Sequence, residues 1–194
     1  MKSLMAFIFA FVMLASAATA QTNWVIDKSH TKIGFAVDHL VISEVEGYFR
    51  TFDGKVTSKG DDFQDATIEF SVDINSINTD NKDRDNHLRS DDFFNAEKYP
   101  KMTFKSTSFK KVKDKKYKLT GDLTIRNTTK RVDLDVTFNG IVKDPWGNTK
   151  AGFKITGELN RFDYGLKFNA LTELGGAVVG EDVRLNINIE VDKK

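Results

Sequence analysis

The sequence has 194 residues, of which 40% are hydrophobic and 29% are charged, and it contains no cysteine. The missing cysteines exclude disulfides, thiolate metal sites and a cysteine nucleophile. A formal net charge of +1 gives no reason to expect nucleic acid as a partner. The length suits one domain, and 16 phenylalanines provide enough apolar surface for its core.

The first 20 residues predict a secretory signal peptide. Lys2 supplies a positive charge, Leu4 to Ala15 is an unbroken apolar run, and Ala18-Thr19-Ala20 has the small residues of a cleavage site. A membrane anchor is the alternative, but the run is shorter than the roughly 20 residues that a span requires. We therefore expect cleavage near Ala20, no stable membrane span, and a periplasmic or secreted protein.

Residues 21–194 are expected to form one all-β domain. Apolar and polar residues alternate over residues 66–74, 117–125, 132–138 and 183–191, and more weakly over 33–37, 102–104 and 151–155. Such alternation is typical of antiparallel strands with one buried face. Together with segments 24–26 and 45–56, these stretches give eight or nine strands.

Residues 79–99 break this alternation with a dense run of polar and charged side chains. The segment from Asp83 to Leu88 predicts a short helix, and Ser90-Asp91-Asp92 has the pattern of a second helix N-terminus. We expect a short helical insertion around residues 80–98 that covers one end of a barrel.

Strand length favours a barrel over a sandwich. The segment from Asp65 to Asn75 extends about 37 Å at about 3.4 Å per residue. Eight such strands in an up-and-down antiparallel barrel enclose a tube that holds one small ligand. Because the inward faces are apolar, this tube either packs solid or takes up a long apolar molecule.

Several motifs together resemble the YceI-like family. They occur at residues 24–30, 33–40, 45–49, 77–79, 84–94, 99–104, 119–125, 144–147 and 160–165. The resemblance implies a lipocalin-like barrel that holds a polyisoprenoid or similar amphiphilic lipid, in a periplasmic or secreted and often dimeric protein. It implies no catalytic residues, and no cofactor other than the bound lipid.

The inward apolar residues are the candidates for the ligand-binding lumen, with ordinary core packing as the alternative for each. They are Phe35, Phe70, Val72, Phe104, Leu123, Ile125, Leu134, Val136, Phe138, Phe153, Phe162 and Leu185.

Four arginines are candidates for binding a polar head group, because guanidinium groups bind phosphate and carboxylate oxygens in a bidentate manner, and one histidine is a further candidate. They are Arg84, His87, Arg89, Arg126 and Arg161. The alternative role for the charged loop around Arg84 is to fix it to the barrel rim through ion pairs.

Other polar patterns carry weaker predictions. His30, His39 and His87 lack ligand spacing, so we expect no metal site. Ser29 and His30 are neighbours beside Asp27, an arrangement that does not favour a catalytic triad, since adjacent strand residues point to opposite faces. The lysine-rich segment 110–118 predicts either a solvated hairpin or a transient contact with anionic membranes.

The sequence therefore predicts an exported, non-catalytic protein that carries or stores an isoprenoid quinone, a polyprenyl phosphate or a fatty amphiphile, with a homodimer as a further expectation. One alternative is a lipid-modifying enzyme in the same barrel. Another is a dimeric structural or stress-protective barrel without a ligand.

Overall fold

The computed structural model describes residues 21–173 and 175–194, so the predicted signal peptide lies outside the described residues. Within them the chain forms eleven strand segments, one α-helix and two 3₁₀ turns. The strands are β1 Thr22–Ile26, β2 Lys32–His39, β3 Ser43–Phe49, β4 Phe52–Ser58, β5 Thr67–Asp73, β6 Ile77–Asn78, β7 Lys101–Lys113, β8 Lys116–Ile125, β9 Thr128–Lys143, β10 Thr149–Asn160 and β11 Val179–Lys193. The helix α1 is Lys82–Arg89, and the 3₁₀ turns are Ile74–Ser76 and Arg161–Tyr164.

The strands close into an antiparallel barrel. Strand β1 pairs with both β4 and β11, which completes a ring of eight strands in the order β1, β4, β5, β7, β8, β9, β10 and β11. Strand β11 pairs with β1 over residues 191–193, near its C-terminus, and with β2 between residues 179 and 188. The segments β1–β2, β3–β4 and β5–β6 thus behave as three bent strands, and the predicted eight-stranded up-and-down barrel is confirmed.

Apolar and polar residues alternate along each strand, so the apolar side chains point into the barrel, as the sequence predicts. In β8, residues 117, 119, 121, 123 and 125 are buried, while the residues between them are only half-buried. Burying one such side chain contributes about 1.5–3 kcal/mol, so a slip of one residue in register would expose a whole face.

The end of the barrel that we call the lower end is sealed by Phe63, on the loop between β4 and β5. Its ring centroid lies 4.8 Å from that of Trp24 and 4.9 Å from that of Phe153. The polar atoms at this end are satisfied: Trp24 Nε1 donates to Ser58 Oγ at 3.0 Å, and Tyr117 Oη donates at 2.6 Å to a carbonyl of the same loop. This aromatic plug closes the lower end.

Helix α1 lies at the opposite, upper end. It begins after Asn81, whose side-chain oxygen accepts a hydrogen bond from the Arg84 backbone N–H at 3.0 Å, so the predicted helix is confirmed. The second helix predicted at Ser90 is wrong. Ser90 ends α1, and its hydroxyl donates to the His87 carbonyl at 2.7 Å, so it does not cap a new helix.

The described chain from residue 91 to residue 99 forms turns that fold back over α1. The N–H groups of Phe94 and Ala96 donate to the carbonyls of Leu88 and Arg89 at 3.0 and 2.9 Å. These bonds satisfy carbonyls that the end of a helix leaves free. Among the described residues no helix has the length and apolar character needed to cross a membrane.

Candidate functional site

Three apolar cavities lie in series along the inside of the barrel, and β11 passes all of them. Val183 lines the upper cavity, Leu185 the upper and central, Ile187 the central, Ile189 the central and lower, and Val191 the lower. Eight residue steps of strand extend about 27 Å. The cavities therefore form one axial lumen.

The lumen is hollow and almost entirely apolar. The central, upper and lower cavities measure about 110, 100 and 40 Å³. An engineered apolar cavity of about 150 Å³ stays dry and binds benzene, so spaces of this size and lining favour apolar ligands over water. Phe35, Phe70 and Phe104 point inward yet are only half-buried, because they face this space.

Glycines on neighbouring strands keep the lumen open. A Cβ atom at Gly121 would lie 2.3 Å from Cζ of Phe104, and one at Gly54 would lie 2.5 Å from Cδ2 of Phe70. A Cβ atom at Gly47 would be similarly close to the ring of Phe35, and one at Gly157 would be similarly close to the side chain of Leu134. Each large side chain thus lies over a glycine against the barrel wall, which leaves the axis free.

Alanine substitutions at two of these glycines are expected to differ in effect. At Gly157 a Cβ meets only Cδ2 of Leu134 at 2.5 Å, with its next neighbours at 3.8 Å or more, so one flexible side chain shifts at little cost. At Gly121 it also meets the Lys105 carbonyl oxygen at 2.6 Å, which the sheet holds in place. We expect Gly121→Ala to destabilise the fold by about 1–3 kcal/mol more than Gly157→Ala in chemical denaturation. Equal stabilities would contradict this role of the glycines.

Ten of the twelve predicted lumen residues line the three cavities. Phe138 instead packs in the lower plug, with its ring centroid 5.2 Å from that of Phe153. Phe162 is 36% exposed, and the Arg161 guanidinium lies 4.1 Å from its ring centroid. The prediction omitted several lining residues that the same alternation marks, namely Ile33, Phe49, Ile68, Met102, Leu119, Ile155, Leu159, Ile187 and Ile189.

Three of the head-group candidates hold α1 in place. Arg84 donates to the Thr79 hydroxyl and carbonyl, both at 2.8 Å, and Arg89 donates to the carbonyls of residues 75 and 77. The Nε2 atom of His87 lies 2.8 Å from Oδ2 of Asp92. Arg84, Arg89 and His87 line none of the three lumen cavities.

Arg126 joins the segments that cover the upper end. From the tight turn between β8 and β9 it donates to Asp91 Oδ1 at 2.7 Å, to the Phe93 carbonyl at 3.1 Å and to the Gly165 carbonyl at 2.8 Å. Its side chain therefore ties the chain after α1 and the chain after β10 to the barrel rim.

Arg161 is the head-group candidate that lines a cavity. It is 4% exposed at the upper cavity and donates to the carbonyls of Leu166, Val179 and Gly180 at 2.8, 3.2 and 2.7 Å. Burial lowers the pKa of its guanidinium, while the nearby carboxylate of Glu181 acts in the opposite sense.

Tyr164, which sequence reasoning missed, lines the same cavity. It is 2% exposed, and its Oη has no hydrogen-bond partner among the described residues. Burial raises the pKa of this hydroxyl to about 12, so it remains a neutral donor at physiological pH. Only its place in the motif 160–165, directly before Gly165, was visible in the sequence.

Asp27, Ser29 and His30 meet without forming a triad. The Ser29 hydroxyl donates to Asp27 Oδ1 at 2.7 Å, and His30 Nδ1 lies 2.9 Å from Asp27 Oδ2. The serine and the histidine thus each hydrogen-bond to the Asp27 carboxylate. In a catalytic triad the serine hydroxyl instead hydrogen-bonds to the histidine, which acts as its base. The hydrogen bond with Asp27 raises the pKa of His30.

A lysine occupies the centre of this acidic cluster. Lys150 Nζ lies 2.8 Å from Asp27 Oδ2, 3.0 Å from Glu190 Oε1 and 2.8 Å from Asp192 Oδ1. Within the described residues, Asp27, Glu190 and His30 are the one histidine–carboxylate group close enough to share a metal. The Lys150 ammonium already supplies the positive charge there.

Replacing Lys150 by methionine is expected to weaken the fold in acid. The hydrogen bond from Lys150 is the largest cause of the lowered pKa of Asp27. A carboxylate with a lowered pKa stabilises the fold above its unfolded pKa, near 4, and loses that contribution as pH falls. In Lys150→Met the pKa of Asp27 rises, so the midpoint of acid unfolding moves to higher pH. Lys154→Met, on the same outer face of β10, is the control, and equal midpoints would contradict the prediction.

The lysine-rich hairpin lies away from α1. Its turn joins β7 to β8 beside the lower plug, where the Phe138 N–H donates to the Lys115 carbonyl at 2.8 Å. Two of its lysines pair with carboxylates: Lys110 with Asp65 at 3.3 Å and Lys118 with Asp135 at 2.7 Å. A membrane contact through this hairpin stays a prediction.

Comparisons with known proteins agree with this architecture. A sequence model of the YceI-like domain matches residues 24–191. A UPF0312 protein of Staphylococcus aureus is 38% identical over 170 residues, which cover 87% of this chain and 96% of the relative. The crystal structure of the YceI protein of Campylobacter jejuni is 36% identical with a TM-score of 0.70, covering 87% of this chain and 96% of that protein.

Two more distant structures share the fold alone. BcnA of Burkholderia cenocepacia has a TM-score of 0.73 at 19% identity, covering 85% of this chain and 98% of BcnA. A polyisoprenoid binding domain from Saccharophagus degradans has a TM-score of 0.65 at 14% identity, covering 88% of this chain and 98% of that domain. From the barrel, the family match and the relatives above 30% identity, it follows that this chain belongs to the YceI-like domain family.

Proposed function

We propose that this protein is an exported lipid-binding protein, which holds the apolar chain of one amphiphile inside its barrel. The observation that carries the proposal is the hollow apolar lumen, in which three cavities follow one another along β11. Burying the chain of a ligand there contributes about 25 cal/mol for each Å² of apolar surface.

The ligand class that we propose is a long, flexible apolar chain such as a polyisoprenoid or a fatty amphiphile. A narrow, extended lumen suits a linear chain better than a compact ring system. The polyisoprenoid binding domain from Saccharophagus degradans shares this fold, which supports the isoprenoid class. An isoprenoid quinone and a polyprenyl phosphate are members of the class, and transport or storage are the roles that we assign.

Binding without catalysis fits the lining better than a lipid-modifying enzyme does. The lining residues of the central and lower cavities are apolar apart from Thr103. The titratable groups that line the upper cavity are Arg161 and Tyr164. Neither of them has a neighbouring base or nucleophile as a hydrogen-bond partner among the described residues. The cavities also disfavour a solid structural barrel.

Export is part of the proposal, supported by the charge, apolar run and small residues of positions 1–20. The expected homodimer stays a prediction.

A chain-length series tests the proposal. The lipid-stripped mature protein is titrated with linear alcohols from octanol to octadecanol and with prenyl alcohols of increasing length. Each methylene buried contributes about 0.8 kcal/mol, so affinity is expected to rise about fourfold per carbon until the lumen is full, and then to level off. If affinity does not depend on chain length, or if none of these alcohols binds, the proposal that the lumen holds the apolar chain is refuted.

A further inference from the structure

Four exposed apolar side chains cluster at the upper rim of the barrel, in the turn between β2 and β3 and in the loop between β10 and β11. We call them the apolar tip, and they are Leu40, Val41, Ile42 and Leu171. Val41 and Ile42 are 74% and 85% exposed. Around them, residues 40–43 and 168–180 contain one charged residue, Glu173, although 29% of the whole chain is charged. A contiguous apolar surface of this kind marks a contact site, whereas a single exposed apolar residue does not.

Backbone contacts hold the two parts of the apolar tip together. The Leu40 N–H donates to the Val178 carbonyl at 3.1 Å, and Leu171 pairs with Ala177, the residue before Val178. The turn after β2 and the loop before β11 are therefore neighbours, and their apolar side chains form one surface.

The backbone of the apolar tip is strained. Leu40 and Val41 have φ angles of 54° and 64°, in the left-handed region that glycine and asparagine adopt most readily. A β-branched residue such as valine is an outlier there, and such strain is found mainly at functional sites. The turn therefore loses stability by presenting Val41 to solvent, which indicates that this side chain has a role outside the folded barrel.

The apolar tip adjoins the upper cavity. Leu40 directly follows β2, whose last residue, His39, lies opposite Val179 in β11. Val179 lines the upper cavity, and so does Val37 of β2. Because the aromatic plug closes the lower end, we expect a lipid chain to enter the lumen from the upper end, beside the apolar tip.

The size of the apolar tip favours a lipid bilayer over a second protein. A stable protein interface takes about 20–30 residues on each side, whereas this surface offers only a few exposed side chains. Side chains at the end of a turn can insert between lipid head groups, where binding increases with the apolar area that is buried. The scarcity of charge around the tip suits this apolar environment.

Resting on the proposed lipid-binding function, we propose that the apolar tip inserts into the surface of a lipid bilayer and docks the upper end of the barrel there. The inserted side chains include those of Val41, Ile42 and Leu171. The contact is apolar and does not require anionic lipid. It places the upper cavity beside the membrane that supplies or receives the amphiphile.

Sedimentation with phosphatidylcholine vesicles tests the docking, since this lipid has no net charge. The mature protein is expected to bind these vesicles equally at low and high salt. In Ile42→Ser the affinity is expected to fall at least about tenfold, because an isoleucine side chain no longer leaves water. Val112→Ser is the matched control, since Val112 is 69% exposed at the lower end, and its affinity is expected to equal that of the wild type.

Val41→Asn separates docking from stability. Asparagine adopts a positive φ more readily than valine, so the variant is expected to be at least as stable as the wild type in chemical denaturation. Its affinity for the vesicles is nevertheless expected to fall several-fold, because the inserted side chain becomes polar. Wild-type affinity in this variant would overturn the role of Val41 in docking.

Fluorescence quenching tests the orientation. With vesicles whose acyl chains carry bromine, the fluorescence of Ile42→Trp is expected to be quenched by the lipid. In the wild type, Trp146 is 83% exposed in the turn between β9 and β10, at the opposite end, and is expected to remain unquenched. Quenching of Trp146 in place of Trp at position 42 would overturn the proposed orientation.

Three results would overturn the docking itself. One is an absence of vesicle binding, and another is binding only to anionic phosphatidylglycerol at low salt, which would assign the contact to the lysine-rich hairpin. The third is a wild-type dimer that becomes a monomer in Ile42→Ser, which would assign the tip to a second copy. The lumen function is tested separately by the alcohol titrations, since no residue of the apolar tip lines the three lumen cavities.

Discussion

Ile187→Trp is expected to remove most of the affinity for a long chain while leaving the barrel folded. Ile187 lines the central cavity halfway along β11, so an indole there fills the space through which the chain must pass. If it displaces about four methylenes, at about 0.8 kcal/mol each, the loss is about 3 kcal/mol, or more than one hundredfold in affinity. Titration with hexadecanol measures it.

The matched control for this variant is Asn188→Trp. Asn188 is the next residue of β11 and is exposed on the outer face, so the same indole there does not reach the lumen. Its affinity for hexadecanol is expected to equal that of the wild type. Equal affinities for the two variants would show that the chain binds outside the central cavity.

Phe63→Ala is expected to cause the largest loss of stability. The ring is almost wholly buried in the lower plug, against Trp24 and Phe153. Truncating a buried phenylalanine costs about 3–5 kcal/mol, because burial is lost and a cavity remains. That is a large share of the 5–15 kcal/mol that typically stabilises a domain. Chemical denaturation measures the free energy of unfolding.

Trp146→Ala serves as the control for the plug. Trp146 is 83% exposed in the turn between β9 and β10, so its truncation is expected to change the free energy of unfolding by less than about 0.5 kcal/mol. A loss in Phe63→Ala no larger than that in Trp146→Ala would mean that the plug does not stabilise the barrel.

Much of the barrel was predictable because the alternation of apolar and polar residues along a strand indicates which of its faces is buried. In β8 and over residues 183–191 of β11, every second residue is apolar, and that period alone identifies the inward face. Helix α1 was predictable from local chemistry, with acidic residues in its first turn and Arg89 in its last. The prediction of a second helix was wrong because serine followed by two aspartates is typical of a helix N-terminus, whereas in the structure Ser90 is the C-terminal cap of α1.

The open lumen was not predictable, because it depends on pairs of residues that are far apart in the chain. Gly54 and Phe70 lie opposite one another only in the register of β4 and β5. Gly121 approaches Phe104 diagonally across β7 and β8, since it is two residues from Leu123, the partner of Phe104. Composition and period cannot reveal such pairs. Tyr164 was missed for a related reason, since an unsatisfied hydroxyl is visible only once its surroundings are known.

The most direct measurement is mass spectrometry of the mature protein purified from its own cell envelope, first under native conditions and then after solvent extraction. We predict one amphiphile per chain, retained in the native spectrum and released on denaturation, with an apolar tail that fits the lumen. An empty, stable chain that also ignores added prenyl and fatty ligands would contradict it.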